Sequence, residues 1–202
     1  MRLGEIILKK FRQLLENISP TTMRREPLSD RTTLSAERFI LSDGRILDVT
    51  IGASKDVLNM VEIEKECYKG KVPWNASSLF QDINNNKNAL YIMVRYGRIG
   101  VGFIGAWFSG NEAHVTNVAV IPSYQGLGIG TFLMEQMEEV AIKENKTFFS
   151  LEVRVSNKKA IKLYEKLGYE AVKIKKRYYK PDLEDALEMK LELKGVNNQE
   201  HD

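Results

Sequence analysis

The sequence predicts one α/β domain, a mixed sheet with helices on its faces, behind an N-terminal helical arm. Three observations carry that prediction. First, runs with strand character at 89–95, 99–108, 113–121 and 148–155 alternate, late in the chain, with helical periods at 126–143 and 157–167; in that order helices cover a sheet. Second, Asp43-Gly44 and Tyr96-Gly97 separate apolar runs, and such dipeptides favour the positive backbone angles of tight hairpin turns. Third, 202 residues with 43% hydrophobic and 28% charged side chains suffice for a buried core and argue against disorder or a coiled-coil rod.

The elements follow in order. Leu3, Ile7, Phe11, Leu14 and Ile18 recur every three to four residues, an amphipathic helix that ends near Ser19-Pro20 because proline disfavours helix in the residue before it. Residues 21–35 are polar without a period and read as a linker. The arm therefore covers 1–37, the domain 38–194 and a polar tail 195–202. The arm's apolar face can pack on the domain, associate with a second copy, or dock on a membrane surface or a ribosome. Residues 39–41 and 46–49 form the first hairpin, 57–64 a helix, 69–75 a loop and 77–83 a short helix. After the four central strands and their two helices, strands at 169–179 and 186–193 close the chain. Gly168 is placed to cap the helix before them in the left-handed conformation.

Several classes are excluded at this level. A single cysteine, Cys67, rules out an internal disulfide framework and a cysteine-rich zinc site. With His114 and His201 as the two histidines, no H-E-x-x-H metal site exists. The longest apolar run, 89–94, has six residues, against about 20 for a membrane span. No signal-type apolar segment follows the start, so a cytoplasmic location is expected. Net charge is +3, from 30 basic and 27 acidic side chains. The first 36 residues hold seven basic and four acidic groups, which leaves 23 against 23 in the rest. A neutral body argues against direct nucleic-acid binding.

The stretch with the most chemical content is 117–130, Asn-Val-Ala-Val-Ile-Pro-Ser-Tyr-Gln-Gly-Leu-Gly-Ile-Gly. A strand runs into a glycine-rich turn that opens a helix. Glycines admit a ligand close to the backbone, and the free amides at a helix start attract phosphate. Gly130 is followed by Thr131-Phe132, not by the Lys-Ser/Thr of a P-loop, and Gly126, Gly128 and Gly130 lack G-x-G-x-x-G spacing. The turn is a phosphate cradle of a third kind, or a turn without a ligand.

Gln125-x-x-Gly128-x-Gly130 after Val-Ala-Val-Ile resembles the acetyl-CoA signature of the GNAT acetyltransferase superfamily. Downstream, 151–157 (Leu-Glu-Val-Arg-Val-Ser-Asn), 160–169 (Ala-Ile-Lys-Leu-Tyr-Glu-Lys-Leu-Gly-Tyr), Tyr178-Tyr179 and 184–189 (Glu-Asp-Ala-Leu-Glu-Met) are similar to the RimI group and its archaeal N-terminal acetyltransferase relatives, as is Pro73-Trp74. The resemblance covers about residues 46 to 193; the arm has no counterpart in it. It implies a mixed, mostly antiparallel sheet of about seven strands with helices on both faces. It also implies acetyl-CoA as co-substrate, no metal, and the α-amine of a protein N-terminus as acceptor, a ribosomal protein being one such acceptor.

The resemblance assigns roles residue by residue. The pantetheine arm would lie along Val118, Ala119 and Val120. The pyrophosphate would sit on the amides of Gly126, Leu127, Gly128, Ile129, Gly130 and Thr131, next to Gln125. Asn157 would contact the same molecule, although its side chain equally suits a helix cap. Glu152 would be the general base; strand alternation sets it opposite the apolar side of its strand, and the bland reading pairs it with Arg154. Tyr164 would be the general acid, or else a core aromatic beside Ile161 and Leu167. Trp74, Tyr178 and Tyr179 would bind the acceptor. His114 lies where related enzymes handle water, and reads equally as a structural histidine. Cys67 has no base motif and reads as packing. Two rival readings remain at this point. The same chemistry could act on a small amine or a lysine side chain, or the domain could bind acyl-CoA without catalysis.

Overall fold

A computed structural model describes residues 26–68, 75–180 and 182–193. The amphipathic helix expected at 3–18, Trp74 with most of its loop, and the polar tail lie outside the described residues. The elements are α1 (Leu28–Arg31), β1 (Arg38–Ile40), β2 (Ile46–Ile51), α2 (Val57–Cys67), α3 (Ala76–Asn85), β3 (Ala89–Tyr96), β4 (Ile99–Ser109), β5 (Glu112–Val120), α4 (Ile129–Lys143), β6 (Phe148–Arg154), α5 (Lys158–Lys166), β7 (Glu170–Tyr179) and β8 (Glu184–Glu192).

The strands form one sheet in the order β1-β2-β3-β4-β5-β6-β8-β7. Eight strands are present among the described residues, the number of strand runs read from the sequence and one more than the seven or so that the resemblance implied; the short β1 forms an edge. It pairs with β2 across a tight turn in which Gly44 has φ +85° and the Arg45 amide donates to Asp43 Oδ1 at 3.0 Å. Every neighbouring pair is antiparallel except β5 and β6, which run parallel.

Helices cover both faces. Leu133, Met137 and Val140 on α4 are buried in a stripe that follows the helical repeat, and each contributes about 1.5–3 kcal/mol of burial. Met60, Val61 and Ile63 do the same for α2. Asp82 ties α3 down: its buried carboxylate accepts hydrogen bonds from Tyr91, Trp107 and Asn86, at 2.6, 2.8 and 2.9 Å. Burial pushes that carboxyl above its usual range while the three donors pull it back.

Residues 26–37 differ from the expected linker. Leu28 is fully buried and its amide donates to Lys87 O. Gln136, buried on α4, donates through Nε2 to Ser35 Oγ and accepts from the Ala36 amide. Phe39 stacks on Phe132 with centroids 4.6 Å apart. A polar segment without a period thus packs through isolated anchors, Leu28 and Ser35, which periodicity cannot detect, and runs into Phe39 of β1.

Tyr169, at the start of the closing hairpin, donates to Glu138 Oε1 on α4 at 2.9 Å. Burial raises the Glu138 carboxyl to about 7, against the opposing effect of the tyrosine bond. A carboxyl raised on folding contributes stability below its unfolded value, and that contribution is lost as pH rises through the folded value. We therefore expect Glu138→Gln, which keeps an acceptor for Tyr169, to match the wild type near pH 4. It should be more stable by about 1 kcal/mol near pH 8, the figure being reduced for partial exposure. Urea unfolding at the two pH values measures this; equal stability at both would remove the assignment.

Candidate active site

The site forms where β5 and β6 stop pairing. Their parallel ladder has three rungs, Glu112↔Phe148, Ala113↔Phe149 and His114↔Ser150. Beyond His114, β5 continues to Val120 on β4, while β6 continues to Arg154 on β8. Thr116 is an extra residue between the rungs Gly105↔Asn117 and Ala106↔Val115, and a bulge of this kind turns its strand. Among the described residues, the β6-facing edge of β5 after His114 has no strand partner. Such an edge offers amides and carbonyls to an extended ligand. Val118 and Val120, which the sequence selects for pantetheine, lie half-buried on that stretch, with Ala119 buried between them.

β5 leads into the cradle. Gly126 and Gly128 have φ +80° and +86°, a left-handed conformation that L residues adopt at a cost. The helix begins at Ile129 and not at Gly126 as expected; Gly128 is its cap and supplies no side-chain bond to the first amides. The first turn therefore points free N–H groups outward. Gln125 Nε2 donates to Val120 O at 2.9 Å, and Lys159 Nζ donates to Gln125 Oε1 at 3.1 Å, so the turn is clamped on both sides. Gly130 lies against Leu163 of α5. Asn157 caps α5, accepting from the Ala160 amide at 3.2 Å, as the capping alternative expects.

The other wall is charged. Glu112 and His114 on β5, Ser150 and Glu152 on β6, and Glu188 on β8 occupy alternate positions and share one face. Glu152 Oε2 lies 3.1 Å from His114 Nε2, and Glu152 Oε1 accepts from Lys175 Nζ at 2.6 Å. Lys175 also pairs with Glu188. Burial works against its ammonium, yet the bonds from Glu152 and Glu188 hold it above the usual lysine range. Arg154 pairs with Asp182 and Glu184 at 2.7 and 2.6 Å, which removes the bland reading of Glu152 as its partner.

The tyrosines divide. In β7, four steps from Lys175 to Tyr179 stand against two in β8, from Ala186 to Glu184, and Arg177 takes φ +54°. This bulge turns both Tyr178 and Tyr179 inward. Tyr179 donates to the Glu152 carbonyl at 3.0 Å, and the Arg154 guanidinium covers its ring at 4.3 Å. Tyr178 interacts with the Glu152 side chain; burial and that carboxylate push its phenol well up. Tyr164 is 6% exposed and packs on Tyr169 with centroids 5.8 Å apart. Burial raises its phenol above the ordinary tyrosine value. Cys67 donates to Val120 O at 3.2 Å and burial raises its thiol to about 11, in keeping with packing.

The structure therefore brings Glu152, Tyr178, Tyr179 and His114 together, and places Asn157 at the cap of α5, its amide on the Arg154 carbonyl. Sequence reasoning missed Lys175, Glu188, Ser150 and Glu112 as neighbours of Glu152, because strand register joins them. It also missed Tyr68, the cap of α2, which lies within electrostatic reach of Tyr164 and Tyr179. An aromatic at the edge of the 69–75 loop was the available signal.

A sheet opened between two parallel strands, with a glycine cradle at one end and a buried carboxylate on the wall, defines an acyltransferase-type fold. Residues 57–169 match the Acetyltransferase (GNAT) family, and the chain belongs to it. A Bacillus subtilis protein provisionally named ribosomal protein bS18-alanine N-acetyltransferase is 33% identical over 135 residues, 67% of this chain and 88% of that one. N-alpha-acetyltransferase RimI of Mycobacterium tuberculosis is 32% identical over 148 residues, 70% of this chain and 91% of that one. The crystal structure of the ribosomal-protein-S18-alanine N-acetyltransferase from Escherichia coli aligns with a TM-score of 0.68 at 26% identity, covering 77% of this chain and 99% of that one. The chain is thus a GNAT N-acetyltransferase.

Proposed function

We propose that the chain transfers acetyl from acetyl-CoA to the α-amine of a protein N-terminus, in the cytoplasm, with a ribosomal protein as the first acceptor to test. The observation that carries this reading is Glu152, a buried carboxylate at the point where β5 and β6 part, held by His114 and Lys175. The names of the similar proteins support the choice of acceptor.

The cradle and the open edge of β5 account for acetyl-CoA. The pyrophosphate takes the amides from Gly126 to Thr131, where charge and helix dipole complement each other, and pantetheine continues the sheet beside Val118 to Val120. Asn157 contributes from its cap. Catalysis then needs a neutral amine, and an α-amine has a pKa of about 7.7–8.0. Glu152 accepts its proton as it attacks the thioester carbon. The leaving sulfur develops charge, and a thiol has a pKa of about 8.5 against about 10 for a phenol. Full proton transfer from Tyr164 is uphill, and burial makes it more so. Tyr164 therefore acts chiefly as a hydrogen-bond donor to the departing thiolate. Tyr178 borders the acceptor, while Tyr179, whose hydroxyl is engaged by β6, keeps Glu152 in place.

The cradle assignment is tested with two isosteric changes. Aspartate and asparagine tolerate the left-handed conformation better than most residues, so both Gly128→Asp and Gly128→Asn should fold. Calorimetry should find acetyl-CoA binding abolished in the charged variant and retained, if weakened, in the neutral one. Equal affinities would remove the pyrophosphate from this turn.

The catalytic roles predict unequal losses. Glu152→Gln should lower kcat by about 10²–10⁴, the range for a general base. Tyr164→Phe should lower it by about tenfold, one hydrogen bond's worth, with little effect on acetyl-CoA binding. Near-normal kcat in both would defeat the assignment.

The acceptor is tested with peptides. Those beginning with Ala, Ser or Met should be labelled at the α-amine, and the same peptides with a blocked N-terminus and a free lysine at least about tenfold more slowly, a difference of about 1.4 kcal/mol. Faster turnover of spermidine, or label on lysine by mass spectrometry, would replace this acceptor with a small amine or a side chain.

A further inference from the structure

Four side chains form a continuous row at the end of the β5–β6 ladder: Glu112, Ser150, His114 and Glu152. Ser150 Oγ donates to Glu112 Oε1. A carboxylate accepts only, so the single hydroxyl hydrogen of Ser150 is committed to it. The contact of 2.7 Å between Ser150 Oγ and His114 Nδ1 then has to be donated by the ring. A histidine with its hydrogen on Nδ1 turns a bare Nε2 toward Glu152 Oε2, 3.1 Å away. Two lone pairs at that distance repel, and one proton shared between them makes a bond. Glu112 Oε1 also lies 3.6 Å from Nδ1, which reinforces a donor on that side.

We propose that Ser150 and Glu112 are positioning residues for the acetyl transfer: they hold His114 as an Nδ1 donor and thereby oblige His114 and Glu152 to share a proton. The inference rests on Glu152 as the base. At rest the pair holds one proton more than it would if His114 carried its hydrogen on Nε2, and that proton must leave before Glu152 can take one from the amine. The oxygen left for the amine is then Glu152 Oε1, the one bonded to Lys175. Coupled groups of this kind titrate as a pair and not as two residues.

Other charges border the row. Lys190 is the rung partner of Ser150, with its ammonium 4.0 Å above the Phe148 ring. Lys146 Nζ sits on the Gly110 carbonyl. Lys175, Glu188 and Tyr178 gather at Glu152. On the Nδ1 side of the ring His114 meets Ser150 and Glu112, and the tautomer follows from those two contacts.

The test reads the tautomer directly. The full chain is labelled with ¹⁵N-histidine, and the two signals are assigned with His201→Gln. Over about pH 5–8, the range of a histidine switch, the wild type should keep Nδ1 protonated, also in any neutral form. Glu112, 29% exposed along its side chain, can be removed without opening the core. In Glu112→Ala the Ser150 hydroxyl is free to turn to Nδ1, and the hydrogen of His114 should move to Nε2. The rising limb of kcat against pH should then shift down by about one unit, because the pair sheds its extra proton earlier. A neutral wild-type His114 protonated on Nε2, or an unchanged Nδ1 signal in Glu112→Ala, would overturn the proposal. An active Glu152→Gln enzyme with the expected tautomers would instead overturn the base and leave the row intact.

Discussion

Everything in the site depends on how short the β5–β6 ladder is. A longer parallel pairing would close the sheet and consume the edge of β5 that an extended ligand needs. A shorter one would leave the two halves of the sheet joined by packing alone. Three rungs hold the halves together, and the bulge at Thr116 turns β5 away immediately after the last. The same three rungs bring the even-numbered residues of both strands onto one face, which is why Glu112, His114, Ser150 and Glu152 meet.

That face gathers more negative charge than positive. Glu112, Glu152 and Glu188 stand against Lys175 and, at the rung of Ser150, Lys190, with His114 as the adjustable member. Burying carboxylates is costly unless each is bonded and compensated. Lys175 bridges two of them and Ser150 donates to the third. A proton between His114 and Glu152 reduces the remaining imbalance. Compensation and catalytic competence thus draw on the same groups, and the energetic cost of assembling them is met by the sheet's core and not by the site itself.

Much of this was legible in the sequence, for identifiable reasons. The strands with long apolar runs, the Asp43-Gly44 turn and the Gly168 cap declare themselves locally. Glycines at 126 and 128 announced a special backbone, and both have positive φ. The partners of Glu152 were not legible: Arg154 is its neighbour in sequence, whereas Lys175 and His114 reach it through register across β8, β7 and β5. The two extra residues in β7 decide where Tyr178 and Tyr179 point, and no periodicity announces them. Residues 26–37 escaped for a different reason. Their anchors are single side chains separated by polar residues, so the segment has the composition of a linker and the packing of a strap.

The strap bears on the cradle. A Cβ added at Gly128 would stand 3.5 Å from Cζ of Phe39, and Phe39 is fixed by its stack on Phe132 of α4. Ser35 and Ala36 grip Gln136 about one turn further along the same helix, and Arg31 pairs with Glu144 at its end. Residues preceding the family match at 57 therefore brace α4 along its length, from the cap whose amides face the cradle to its C-terminus. A helix whose first turn must present unbonded amides has no side-chain cap to steady it. Contacts along its flank supply that constraint from outside, which leaves the amides themselves free.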